Sequence, residues 1–160
     1  MADEIHVRNR PIRVLFVCTG NSARSQIAEA LLEHYGGPDF EVESAGTDPR
    51  GVNPLAITTL AEHKLDWSAA RSKSVTEFLG QSFDYVITVC DRARQTCPVF
   101  PGSENTLHWG LDDPAEVEGS DAERLEAFRR TAMELTLRLR PFIEIAQRTA
   151  GREIRPAMLA

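Results

Sequence analysis

The sequence has no run of about 18 apolar residues, so it offers no membrane-spanning helix. It also lacks a basic cluster. Asp and Glu number 24 against 18 Lys and Arg, a formal net charge of −6. Such a chain is poorly suited to non-specific nucleic-acid binding. Met1 to Arg10 contains no apolar core of the kind a secretory signal needs, so a cytoplasmic location is expected. No internal repeat or low-complexity segment is present. Cysteine is scarce, with three among 160 residues. An odd number cannot all pair internally, and where thiols are kept reduced this points to reactivity rather than stapling. The remaining composition, 42% hydrophobic and 26% charged, is that of one globular domain able to bury a core without disulfides.

Residues 1–11 read as a flexible arm, 12–147 as a single domain and 148–160 as a loose tail. Ile12 to Val17 is an apolar, β-branched run and predicts a buried strand. Ile27, Leu31 and Tyr35 repeat at helical spacing from about Ser22 until Gly36-Gly37-Pro38. Phe40, Val42 and Ser44 alternate with acids as a half-exposed strand. Leu55 to His63 predicts a helix, with Pro54 in its first turn. Asp84 to Val89 predicts a strong buried strand, and Leu107 to Trp109 a short one. Asp121 to about Gln147 carries Leu125, Phe128, Ala132, Leu135, Leu139, Phe142 and Ala146 at three-four spacing, a long amphipathic helix. Pro141 is expected to kink it or start a new segment. Alternating strands and helices predict a parallel, doubly wound α/β sheet with its working site at the carboxyl ends of the strands. Cys18 and Cys90 stand at the ends of the two strongest strands, which right-handed crossovers can place side by side.

Cys18-Thr19-Gly20-Asn21-Ser22-Ala23-Arg24-Ser25 joins a strand end to a helix start. Backbone N–H groups there lack intrahelical partners and can point at an anion. Gly20 and Asn21 tolerate the positive φ angles such a loop needs. Cys18 and Arg24 bracket five residues, enough to wrap a tetrahedral oxyanion, onto which Arg24 can fork. The same field favours Cys18 as a thiolate, and Ser25 can donate its hydroxyl to it. The alternative is a small buried residue at a strand end; the coincidence of strand, Cys, five residues, Arg-Ser and helix argues against that.

Cys90 and Cys97 flank Asp91 to Thr96, a segment free of Gly and Pro that can form a turn or two of helix. Residues seven apart on a helix lie roughly 10 Å apart along its axis, whereas a disulfide needs Cα atoms about 4.4–6.8 Å apart. If the segment is helical when reduced, a Cys90–Cys97 bond must unwind it. Incidental core cysteines are one alternative. Zinc held by the three cysteines and His108 is another, although the spacing is wider than in typical zinc pairs. His34 and His63 read as ordinary polar helix positions, and His6 as part of the arm. Trp67 and Trp109 read as packing, with Trp109 a candidate wall of the site.

The loop from Cys18 to Ser25, followed by Gln26 and Ala28-Glu29, resembles the phosphate-binding loop of low-molecular-weight protein tyrosine phosphatases. It resembles still more closely that of the arsenate reductases sharing their fold. The cysteine pair, together with His108-Trp109-Gly110-Leu111-Asp112-Asp113-Pro114-Ala115, is similar to the thioredoxin-coupled arsenate reductases. That resemblance implies a three-layer sandwich with a four-stranded parallel sheet. Arsenate would bind the amides of Thr19, Gly20, Asn21, Ser22 and Ala23 together with Arg24, with phosphate or sulfate competing. Cys18 would be the nucleophile, Cys90 the first resolving thiol and Cys97 the second. The acid preceding a proline maps to Asp113, since an oxyanion oxygen leaves well only if protonated. Pro114 restricts Asp113 to extended conformations; a simple turn is the alternative. The phosphatases usually carry tyrosine where Ala115 stands.

The resemblance also implies a weak potassium site near Asn21, Glu29 and Ser44, but the carboxylate that completes it is missing from Ser72-Lys73-Ser74. The Lys73 ammonium is therefore expected near Glu29 in place of the ion, or else in solvent. No tightly bound cofactor is implied. The expected electron donor is thioredoxin or another thiol, and the expected state a monomer. The competing functions are a tyrosine phosphatase, which needs neither Cys90 nor Cys97, and a non-enzymatic thiol or arsenite-binding sensor.

Overall fold

The computed structural model describes residues 10–103 and 105–152; most of the expected arm, with His6, and residues 153–160 of the expected tail lie outside the described residues. Strands β1 (Ile12–Cys18), β2 (Phe40–Gly46), β3 (Tyr85–Thr88) and β4 (Asn105–His108) form one sheet in the order β2-β1-β3-β4, and every pairing is parallel. Val14, Leu15, Phe16 and Val17 are each fully buried. Successive strand residues face opposite sides, so both faces of β1 are covered, as a parallel sheet requires. The expected alternation of β2 holds for Phe40 to Glu43. Ser44, Ala45 and Gly46 are then all buried, because that end of the strand runs into the loop carrying Cys18.

Among the described residues four α-helices accompany the sheet: α1 (Arg24–Gly36), α2 (Pro54–Glu62), α3 (Asp91–Thr96) and α4 (Asp121–Thr149). Their starts differ in a way that bears on function. Asn53 caps α2 by accepting from the Leu55 N–H at 2.9 Å. Ser120 and Glu123 form a reciprocal capping box on α4, satisfying two of the donors a helix start leaves open. The start of α1 has no side-chain cap and no acid in its first turn, so its amides are left for something else.

Helix α4 buries Phe128, Ala132, Leu135, Leu139, Phe142, Ile143 and Ala146, the stripe its spacing predicts. Pro141 does not start a new segment: the helix runs through it as one element. Pro141 is exposed and so is Leu137 one turn earlier, at 62%. The carbonyl that loses its helical partner can therefore bond to water. The helix also continues past Gln147. Arg148 and Thr149 form its last turn, Ala150 is buried, and Arg152 pairs with Asp39 at 2.8 Å and donates to the Arg10 carbonyl. Residues 148–152 thus pack as part of the domain rather than as loose chain. Arg10, placed in the arm from sequence, forks onto Asp84 with both bonds at 3.0 Å.

The order of strands reverses between β1 and β3. Open α/β sheets bind ligands at the carboxyl ends of the strands flanking such a reversal. Val17 pairs with Thr88, and the Val89 N–H donates to the Val17 carbonyl at 2.9 Å. Cys18 and Cys90, one and two residues beyond those pairs, therefore emerge side by side.

Restoring the missing helical donor on the solvent face should stabilise the protein. Pro141→Ala is expected to raise the unfolding free energy by about 2 kcal/mol, read from the denaturant midpoint; an unchanged or lower midpoint would show that the proline is accommodated by other means.

Candidate active site

The loop from Cys18 to Arg24 is held from outside by its own carbonyls. Those of Cys18, Thr19, Gly20 and Ser22 accept the N–H groups of Thr47 (3.2 Å), Asp48 (2.8 Å), Arg50 (2.9 Å) and Asn53 (2.9 Å). The Asn21 carbonyl accepts the Ser72 hydroxyl at 2.7 Å. In a trans peptide the carbonyl and the following N–H point opposite ways. Five outward carbonyls therefore turn the amides of Thr19 through Ala23 to the inner side. One of these is already engaged: the Asn21 N–H donates to Cys18 Sγ at 3.1 Å.

This clasp needs Gly46. A Cβ there would lie 2.5 Å from the Thr19 carbonyl oxygen and 2.9 Å from the Asn21 nitrogen, both backbone atoms with no room to yield. Sequence reasoning missed Gly46, since nothing near it looks like a motif. Gly20 and Asn21 both tolerate the positive φ that such a loop needs. Only Asn21 has it, at 45°. Gly20 is not in the left-handed region, and a Cβ there would make ordinary contact with Ser22 and Arg50.

Beneath the loop, Asn21 is the node of a buried network. Its Oδ1 accepts the backbone N–H of Lys73 and Nε2 of Gln26, each at 2.9 Å. A backbone N–H can only donate, which fixes the amide orientation. Its Nδ2 then donates to Ser25 Oγ at 2.8 Å and to Ser44 Oγ at 2.9 Å. Having accepted from Asn21, Ser25 is free to donate to Cys18 Sγ, 2.8 Å away. Cys18 Sγ thus receives two hydrogen bonds, a setting that suits a thiolate. Trp67 donates its indole N–H to Gln26 Oε1 at 2.8 Å, so this packing residue also orients Gln26.

The other branch runs from Ser44 Oγ to Glu29 Oε1 at 2.6 Å. Lys73 Nζ lies 3.2 Å from Glu29 and 2.8 Å from Glu43. Burial pushes the Glu29 carboxyl above the ordinary carboxylate range, against the opposing pull of Lys73 and the Ser44 hydroxyl. Burial alone would lower Lys73, but the carboxylates of Glu29 and Glu43 more than offset that and raise it. These oxygens do not fit a potassium ion. Asn21 Oδ1 already accepts two N–H groups, and Glu29 Oε1 takes both the Ser44 hydroxyl and the ammonium.

Above the loop lies a cavity of about 460 Å³ whose wall includes Cys18, Arg24, Arg50, Cys90 and Asp113. Arg24 donates to the Leu111 carbonyl at 2.9 Å and lies 3.6 Å from Asp113 Oδ2. Asp113 is extended, as the following proline requires, and its Oδ1 caps the Ala115 N–H at 2.9 Å. It thus serves a turn and faces the cavity at once. Thr19 Oγ1 stands 3.4 Å from Cys90 Sγ, linking the loop to the second thiol. All three cysteines are free, and α3 between Cys90 and Cys97 is helical. Cys97 does not reach the main cavity. It lines a second one of about 440 Å³, with Arg94, Phe100 and His108, so the structure gathers two of the three sulfurs. Trp109 packs tilted against Phe16 and edge-on against Phe142 and does not line the main cavity. Arg50, not singled out from sequence, does. Among the described residues no cluster of three or more His, Cys, Asp or Glu side chains is placed to hold a metal ion.

Residues 13–151 match the family model described as low molecular weight phosphotyrosine protein phosphatase. The chain belongs to that family. Within it, the chain is similar to an arsenate reductase of Halalkalibacterium halodurans, 41% identical over 131 residues that cover 82% of this chain and 94% of that one. Among solved structures it resembles an arsenate reductase in its phosphate-binding state, with a TM-score of 0.67, 31% identity and coverage of 82% of this chain and 96% of that one. It also resembles a thioredoxin-dependent arsenate reductase of Corynebacterium glutamicum, with a TM-score of 0.58 and 35% identity, covering 85% of this chain and 65% of that one. The family's four-stranded parallel α/β architecture is the one found here.

Replacing Lys73 by Met would strand Glu29 in the network. With its acid range raised further, Glu29 in the folded variant would keep its proton at a pH where the unfolded chain has lost it. That penalty grows above the unfolded carboxylate range and vanishes below it. Lys73→Met is therefore expected to lose about 3 kcal/mol at pH 8 and progressively less toward pH 4.5, measured by denaturant unfolding at each pH. A loss independent of pH would contradict the ion pair.

Proposed function

We propose that this protein is an arsenate reductase that carries electrons through Cys18, Cys90 and Cys97 in turn. The observation that carries the proposal is a second free thiol, Cys90, on the wall of the cavity that holds Cys18, at the start of a short helix with a third thiol at its far end. Hydrolysis of a phosphoester needs only the first.

Arsenate binds the inward amides of Thr19 to Ala23 and the Arg24 guanidinium. The Cys18 thiolate, held by Ser25 and the Asn21 N–H, attacks arsenic while Asp113 protonates the departing oxygen, which leaves as water. Cys90 then attacks Cys18 Sγ. The sulfur–arsenic bond breaks, its electron pair goes to arsenic, and arsenite leaves as the Cys18–Cys90 disulfide forms. Cys97 attacks Cys90, releasing the Cys18 thiolate and leaving a Cys90–Cys97 disulfide. Burial pushes the Cys97 thiol up, which disfavours its thiolate while the side chain stays covered. An external dithiol, thioredoxin-like as in the Corynebacterium relative, reduces the final disulfide. Phosphate binds the same cradle without being reduced and so inhibits. The Lys73 ammonium takes the role a potassium ion would have beside Glu29, and the protein works as a cytoplasmic enzyme without bound metal.

The description of the matching family model favours a second reading, phosphotyrosine phosphatase. It shares Cys18, Arg24 and Asp113. Arsenate-dependent NADPH consumption with thioredoxin and its reductase separates the two. Cys90→Ser is expected to abolish arsenate turnover, by at least about a thousandfold on a barrier change near 4 kcal/mol, while aryl phosphate hydrolysis persists. Wild-type rates should be equal in sodium and potassium buffers. Undiminished arsenate turnover in Cys90→Ser would refute the relay, and strong potassium activation would refute the role given to Lys73.

A further inference from the structure

Helix α3 has only six residues, too short to persist by its own propensity. Ala93 is its one buried residue; Arg92, Arg94, Gln95 and Thr96 are exposed. It is held at two points. At its start Cys90 Sγ accepts the Ala93 N–H at 3.4 Å, so the first resolving thiol is also the helix cap. Beside it, His108 Nε2 meets Asp91 Oδ1 at 2.8 Å. Among the described residues this is the one side-chain bond between α3 and another strand or helix. The imidazole is itself anchored, with Nδ1 2.8 Å from the hydroxyl of Thr88, a residue only 2% exposed at the end of β3. Thr88, His108 and Asp91 thus tie the first turn of α3 to the ends of two adjacent strands.

We infer that His108 is a positioning residue of the relay: it holds α3 folded, and so keeps Cys97 from Cys90, until Cys90 has reacted with Cys18. The inference rests on the relay proposed above. A Cys90–Cys97 bond requires α3 to unwind, because a helix holds residues seven apart too far from each other for a disulfide. While Cys90 is a free thiol, its sulfur cap and the His108–Asp91 bond both oppose unwinding. Once Cys90 is bonded to Cys18, its sulfur is spent, the Ala93 N–H loses its cap, and His108–Asp91 is the remaining restraint. The first disulfide thus removes one of the two restraints and leaves the other. Without the His108 tie, exchange with an external disulfide, which takes up the two electrons and two protons, would favour the Cys90–Cys97 disulfide more strongly.

The test is the equilibrium between the Cys90 and Cys97 thiols and dithiothreitol in full-length protein carrying Cys18→Ser, which removes the competing thiol. Two electrons and two protons pass to cyclic oxidised dithiothreitol as the protein disulfide forms, so the ratio of the two dithiothreitol forms sets the potential. His108 stabilises only the reduced, helical form. His108→Ala is therefore expected to favour the disulfide three- to fivefold, moving the potential about 15–20 mV more negative. His108→Gln, which keeps a donor toward Asp91, should remain near the parent. Adding Asp91→Ala to His108→Ala should shift the equilibrium less than the sum of the two single changes. If the parent forms no Cys90–Cys97 disulfide at any ratio, the relay and this inference fall together. If the disulfide forms in every variant at one potential, or the two changes simply add, the inference alone is overturned.

Discussion

The outward bonding of five consecutive carbonyls, Cys18 to Ser22, is the constraint on which the rest of the site depends. It orients the peptide planes so that the following amides face one point, through bonds made within the protein itself. Internal bonding of this kind preorganises a cradle and lessens the loop ordering that opposes binding. The uncapped start of α1 belongs to the same design, since a side chain capping it would take amides that an oxyanion needs. Gly46 makes the clasp possible by letting two backbones approach within a distance no Cβ would tolerate.

The buried network under the loop extends that constraint to the sulfur. Asn21 cannot flip, because the Lys73 N–H must face its oxygen. Ser25 is thereby left to donate to Cys18, and Ser44 to donate to Glu29. A lysine closes the far end against two carboxylates. Rigidity here contrasts with α3, which is short, largely exposed and capped by a reacting atom. One side of the cavity is held by many buried hydrogen bonds and the other by few, a contrast that suits the proposed relay.

Much of this was legible in the sequence, for identifiable reasons. β1, β3, α1 and α4 carry their burial in continuous or helically spaced apolar residues, and the cradle announces itself by its residue types between strand and helix. Lys73 was legible through an absence, the missing acid beside it. The clasp was not, because four of its five bonds are backbone bonds from Thr47, Asp48, Arg50 and Asn53, which leave no side-chain signature. Arg50 was missed for the same reason: its place on the cavity wall follows from its N–H bonding to Gly20. Pro141 starts no new segment because it lies on the exposed face, where the freed carbonyl can meet water, and Gly20 leaves unused the freedom that its residue type allows. The separation of Cys97 from the main cavity follows from the helical state of α3, which spacing alone left conditional.

The central claim is that Cys90 resolves an adduct formed on Cys18. It is tested most directly by trapping the intermediate. In Cys97→Ser protein given one turnover's worth of arsenate, peptide mass spectrometry should find the Cys18 and Cys90 peptides joined by a disulfide, with one arsenite released per chain. Arsenite released with both thiols still free, or a disulfide that omits Cys90, would contradict the account.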